Sequence, residues 1–124
     1  MRLSEEHVKM INELTESIHA YNKQVGWWDG MNPRDPLVFT NKACLIHSEV
    51  SESVEGERKG LKDDKLPHRE MAEVELVDVL IRTFDLGGSR GYRLGDAMAE
   101  KMAYNDQRAD HKRENRAAEG GKKY

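Results

Sequence analysis

The chain has 124 residues, 37% hydrophobic and 35% charged, with a net charge of −3. That length suits one domain with a modest core, and so lean an apolar content leaves room for a mobile tail and for a second subunit to complete the core. The charge argues against a general polyanion binder, so a nucleic-acid partner is not expected; the single Cys44 permits no intramolecular disulfide.

The start, MRLSEEHVK, has no apolar run, which predicts a soluble, cytoplasmic protein with neither a leader nor a membrane span. Ser4 followed by Glu5 and Glu6 marks a helix start. Ile11, Leu14, Ile18, Tyr21 and Val25 then recur at three- and four-residue steps, predicting one amphipathic helix to about Val25, closed by Gly26. Glu16 and His19 form one ExxH pair; a di-iron carboxylate bundle needs two, and the chain offers no second.

Trp27 and Trp28 stand side by side in a glycine-flanked loop. They suit either capping of the core and a helix end, or a flat platform for an aromatic ligand. Pro33 and Pro36 keep the loop open to about Leu37. From Val38 to Lys59 the pattern is helical, with Phe39, Ala43, Ile46, Val50 and Val54 on one face and Glu49 and Glu52 at its margin. Gly60 caps this helix, and LKDDKLPHR follows as a polar loop.

The segment EMAEVELVDVLIRTFDL, residues 70–86, is apolar over most of a helical circumference. A narrow stripe carries Glu75, Asp78, Arg82 and Asp85. A helix apolar nearly all round is expected to be buried, so its charges are expected inside, although the stripe also suits the wet side of a core helix. GGSRGYRLG then predicts a break. A last helix is expected from a cap at Asp96, with Ala97, Met98, Met102 and Tyr104 inward and Lys101, Asn105 and Arg108 along a polar stripe. Hydrophobicity collapses beyond Arg108. The chain is therefore read as an all-α domain over 1–108 and a charged, flexible tail over 109–124.

Two acidic pairs, Glu49/Glu52 and Glu75/Asp78, each occupy one face of a helix. Antiparallel packing of those helices brings four carboxylates to one spot, where they repel unless divalent cations neutralise them. All-oxygen ligation suits Mg²⁺, with Mn²⁺ as a substitute, and such a Mg²⁺ completes its shell with water and substrate phosphates. The chemistry expected is phosphoryl transfer to water, with cations polarising a phosphate and lowering the pKa of a bound water. Lys101, Asn105 and Arg108 would carry the remaining phosphate charge. No G-x-x-x-x-G-K-[ST] loop is present, which argues against a Walker NTPase.

The motifs S-E-V-S-E (Ser48–Glu52) and E-L-V-D (Glu75–Asp78), with IHAYN, VGWWD, LIHSEVSESVEGERKG, VELVDVLIRTFDL, EKMAYNDQR and a closing GGKK, resemble the MazG-like all-α nucleotide pyrophosphohydrolases. The resemblance runs from about Ile18 to the C-terminus. It implies a four-helix-type fold assembled as a homodimer or homotetramer, and Mg²⁺-dependent cleavage of a nucleoside triphosphate to monophosphate and pyrophosphate. It further implies Glu49, Glu52, Glu75 and Asp78 as metal ligands, with Glu49 or Glu52 activating the attacking water. Lys101, Asn105, Arg108 and the tail lysines Lys122 and Lys123 would hold the phosphates, and His19, Asn22, Trp27 and Trp28 would surround the base. Ser48 departs from the widespread E-E-x-x-E form, which leaves one carboxylate fewer; Glu119 stands ahead of GGKK where the family often has histidine. The other reading is a non-catalytic nucleotide-sensing or interaction protein on the same scaffold.

Overall fold

The computed structural model describes Arg2–Tyr124, and among these residues the chain is all-helical apart from one isolated antiparallel bridge, Lys62 to Glu70. It divides into two compact units, one of Leu14–Tyr92 and one of Arg93–Tyr124 with the chain up to Glu13.

Helix α1, Glu5–Gln24, starts where Ser4 Oγ accepts from the His7 N–H at 3.1 Å. It ends in paired bonds from Trp27 N–H to the Asn22 carbonyl and from Gly26 N–H to the Lys23 carbonyl. This reversal needs a left-handed residue between the two acceptors and the onward chain, and Gly26 supplies it with φ +94°. Helix α2, Pro36–Lys59, begins two residues before the predicted Val38. Asp35 caps it by accepting from the Leu37 N–H at 2.9 Å, and Pro36 occupies the first turn, where a missing N–H costs nothing. Gly60, at φ +61°, closes it as expected.

The polar loop after Gly60 is tightly tied. Met71 N–H bonds to the Leu61 carbonyl and Asp63 N–H to the Arg69 carbonyl. The buried Asp63 carboxylate accepts from the backbone of Lys65 and Leu66. This staple turns the chain back, and α3, Met71–Ser89, packs antiparallel along α2.

Helix α3 runs through Gly87 and Gly88, where the sequence predicts a break. At Gly88 a Cβ would lie 2.6 Å from both the His19 Cβ and the Thr15 carbonyl. The glycine there allows α1 and α3 to approach closely and does not end the helix.

Burial keeps the acids of the α3 stripe inside, as expected, and overturns the predicted apolar faces. On α3 the acids Glu75 and Asp85 are buried, while Leu76, Val77 and Leu80 are 54%, 46% and 53% exposed. On α1 the buried residues are Asn12, Thr15 and His19, and the expected core positions Leu14, Tyr21 and Val25 are exposed. Val50 and Val54 of α2 are exposed as well. Among the described residues Trp28 and Leu86 are the buried hydrophobic side chains. Asn12, His19, Asp63 and Asp85 are each hydrogen-bonded where they are buried, which offsets the cost of taking them from water.

In the other unit, α4 spans Leu94–Asp106. Asp96 is not its cap: it lies within the first turn, accepting from Asn12 Nδ2 at 2.8 Å and Arg93 Nε at 3.0 Å. Asn12 also accepts from the buried Gly95 N–H. Met98 and Tyr104, expected inward, are exposed, and Ala97 is too; Met102 is half-buried. The segment read as a flexible tail forms a 3-10 turn at Ala109–His111 and a short helix α5 at Arg113–Ala117. Among the described residues no helix is long and apolar enough to cross a membrane.

Candidate active site

The i, i+3 spacing of Glu49 and Glu52 sets both on the side of α2 that meets α3. There Glu75 joins them, and one oxygen from each of the three carboxylates lies within 4.8 Å of the others. Glu52 is exposed at the edge of the group, Glu75 is 9% exposed, and the Glu49 side chain is 12% exposed.

Three carboxylates so close cannot all be ionised without a cation. Burial first, then the Glu49 carboxyl and the charge of Glu52, push the Glu75 pKa up to about 8. For Glu49, burial alone would raise the pKa, but the hydrogen bond from Glu75 and the Arg82 guanidinium outweigh it, and its carboxyl lies below the usual value. Arg82 Nε reaches Glu49 Oε1 at 2.9 Å. At neutral pH the group thus keeps a proton on Glu75 and a charge on Glu49.

Glu75 Oε2 is buried and has no hydrogen-bond partner. An orphaned carboxylate oxygen within an all-oxygen cluster is what a hard divalent cation would satisfy. The donor set therefore fits Mg²⁺ or Mn²⁺, which would offset the burial and the neighbouring carboxylates that together keep Glu75 protonated. Asp78 stands outside the triplet. Burial and then the charge of Glu49 raise its pKa, against an opposing pull from Arg82, with Asp63 and Glu52 adding smaller repulsions.

Beside the acids lies a cavity of about 270 Å³ within the Leu14–Tyr92 unit. Asp78, Ile81, Arg82 and Asp85 line it from α3, and Lys42 and Glu49 from α2. Both sets span seven residues, about 10 Å along a helix. Asn22 and Trp27 also reach it.

The four residues expected around a base separate into two roles. Asn22 and Trp27 line the cavity, with Trp27 66% exposed. Trp28 and His19 are buried and bonded to Asp85: the indole Nε1–H donates to Asp85 Oδ1 at 2.9 Å, and His19 Nδ1 lies 2.8 Å from the same oxygen. Their rings meet edge to face at 5.1 Å. The Lys42 ammonium sits 4.6 Å from the centre of the Trp28 ring. Of the paired tryptophans, one is therefore structural and the other faces the cavity.

Lys101, Asn105, Arg108 and Lys122 belong to the other unit. Arg108 forks onto Asp110, with Nε to Oδ1 at 2.9 Å, and also reaches Asn105 Oδ1 at 3.3 Å. Lys122 Nζ is 3.3 Å from Asp110. Hydrogen bonds from Arg108 and then Lys122 hold the Asp110 carboxyl down to about 2. Arg108 and Lys122 thus share one carboxylate, with Asn105 reached by Arg108, while Lys101 lies over Tyr104 at 4.9 Å.

Four cavity residues, Lys42, Ile81, Arg82 and Asp85, have no role in the sequence reading. Asp85 lies on the α3 stripe, seven residues after Asp78, and that spacing was the available signal. Lys42 lies seven residues before Glu49, on a helix where a single lysine carries no pattern. No family model, curated protein or solved structure matches this chain.

Proposed function

We propose that this protein is a Mg²⁺-dependent nucleoside triphosphate pyrophosphohydrolase, cleaving a ribo- or deoxyribonucleoside triphosphate to the monophosphate and pyrophosphate. The observation that carries the reading is the buried Glu75 Oε2, without a hydrogen-bond partner, on a carboxylate that belongs to the Glu49–Glu52–Glu75 triplet. The motif resemblance supports the substrate class. Glu49, Glu52 and Glu75, with Asp78 beside them, would hold the cation, which when bound polarises the phosphate and makes water a better nucleophile.

The chain's own groups supply the rest. Water attacks the α-phosphorus, the bond from that phosphorus to the bridging oxygen breaks, and pyrophosphate leaves with the electron pair. Glu52, at the exposed edge of the triplet, takes the proton released by the attacking water. Arg82 lines the cavity beside Glu49 and offers a guanidinium to phosphate oxygens. Lys101, Asn105, Arg108 and Lys122 remain phosphate ligands by resemblance, and Arg108 and Lys122 would have to exchange Asp110 for phosphate.

The proposal includes a second copy of the chain. Leu76, Val77, Leu80, Val50 and Val54 are exposed on the paired helices α2 and α3, and an apolar surface of this kind favours association.

The deciding experiment is a panel of NTPs and dNTPs, with and without Mg²⁺, with products separated by ion exchange. Monophosphate and pyrophosphate formed only with the metal are expected. Diphosphate with orthophosphate would overturn the mechanism, and no turnover across the panel would favour a nucleotide sensor.

A further inference from the structure

The α2–α3 cavity has two chemically different ends. Glu49, Asp78 and Arg82 stand at one; two helical turns away, Asp85 and Lys42 stand at the other. That separation, about 10 Å along the helices, matches the span of a nucleotide from its first phosphates to the far edge of its base.

Asp85 is held unusually firmly for a cavity-lining acid. It is 7% exposed, and its Oδ1 takes both the Trp28 indole N–H and His19 Nδ1. Among the described residues no hydrogen bond engages its Oδ2. A carboxylate that lines a binding space with one oxygen uncommitted is a pure acceptor, and it favours an N–H on whatever enters. Trp27, beside it, offers an exposed aromatic face.

We infer that Asp85 is the base-reading residue of this cavity, and that it selects nucleobases bearing an exocyclic amino group over uracil and thymine. This deepens the pyrophosphohydrolase reading and rests on it for the orientation of the nucleotide. An exocyclic amine gives Oδ2 a donor with no acceptor between them. The ring N3–H of uracil or thymine is flanked by two carbonyl oxygens, and a carboxylate repels both. Lys42, lining the same cavity, supplies a donor for a ring nitrogen or carbonyl of the amino base. His19 and Trp28 are positioning residues: they fix which oxygen of Asp85 remains available.

The test uses nucleoside monophosphates, which the proposed reaction cannot consume, titrated calorimetrically into the full chain with Mg²⁺ present. dCMP should bind about ten- to a hundredfold more tightly than dUMP, the range expected of one hydrogen bond to a charged group. The 2-pyrimidinone analogue of dCMP, which lacks only the amine, should bind as weakly as dUMP. Asp85→Asn keeps an Oδ1 acceptor for Trp28 and His19 and puts an NH₂ donor in place of Oδ2, so it should bring dUMP level with dCMP or ahead of it.

Equal binding of dCMP, its 2-pyrimidinone analogue and dUMP by the natural chain would overturn the inference, as would no binding of any monophosphate. These arms need no variant, so a misfolded Asp85→Asn protein does not rescue the idea. If triphosphates are not hydrolysed but the amino preference holds, the hydrolase reading alone fails. If hydrolysis proceeds and a folded Asp85→Asn chain keeps its base ranking, this inference alone fails.

Discussion

Helix α3 presents two faces whose roles are the reverse of those its composition suggests. One carries Glu75, Asp78, Arg82 and Asp85 and is packed inward, with Glu75 and Asp85 buried. The other carries Leu76, Val77 and Leu80 and is about half exposed. In an ordinary amphipathic helix the apolar face finds the core and the charged face finds water. Here the charged face has specific partners in α2 and in the Trp28–His19 pair, and these outweigh water. The apolar face is left about half exposed among the described residues. On this helix the polar partners available, and not the composition alone, decide which face lies inside.

The comparison breaks most sharply if the acid face serves only to hold the fold. Asp78→Ala and Glu52→Ala should each lower turnover by about 10²- to 10³-fold, while circular dichroism and the melting temperature stay close to those of the natural chain. Loss of helicity together with activity would make the acids structural. On the apolar face, Leu80→Asp should weaken association by about 2 kcal/mol or more, as truncation of a central contact does. Light scattering would then report the 14.2 kDa of one chain where the natural protein gives a multiple. A natural chain that is already monomeric at micromolar concentration removes the association half of the argument.

The smallest effect, and the one that most sharpens the acid face, is its pH dependence. Glu75 holds its proton in the folded state up to about 8, against 4.5 for an ordinary glutamate. Between those values the folded state binds more protons than the unfolded one, so stability falls as pH rises through the window. The raised Asp78 acts in the same direction and the lowered Glu49 opposes it. In chelator, the melting temperature should drop by about 4 °C or more from pH 5 to pH 8. Mg²⁺ should restore most of it at pH 8, and Glu75→Gln should flatten the profile. A flat profile for the natural chain in chelator would mean that Glu75 is not the repelled member of the triplet.

Much of the fold was legible locally. Ser4, Gly26 and Gly60 act at helix ends because hydroxyl caps and left-handed residues are short-range requirements. The start of α2 was misjudged because Pro36 reads as a loop residue unless Asp35 is recognised as the cap before it. Gly87 and Gly88 were read as a break, since a glycine placed for close helix approach and one placed for a turn look alike in sequence. The flat, charged pattern of 109–124 hid Asp110, which organises Arg108 and Lys122 through contacts two and twelve residues away.

The sequence by itself determined the all-helical character, the antiparallel-compatible acid pairs at i, i+3, and the stripe from Glu75 to Asp85, because those depend on spacing along a helix of fixed period. Only the tertiary structure decided that Glu49, Glu52 and Glu75 close to within 4.8 Å with Asp78 outside, that Trp28 and not Trp27 is buried, and that Asp85 is bonded to both His19 and Trp28. Those outcomes depend on which face of each helix meets another. Periodicity defines the faces of a helix, and only its neighbours choose which one is inside.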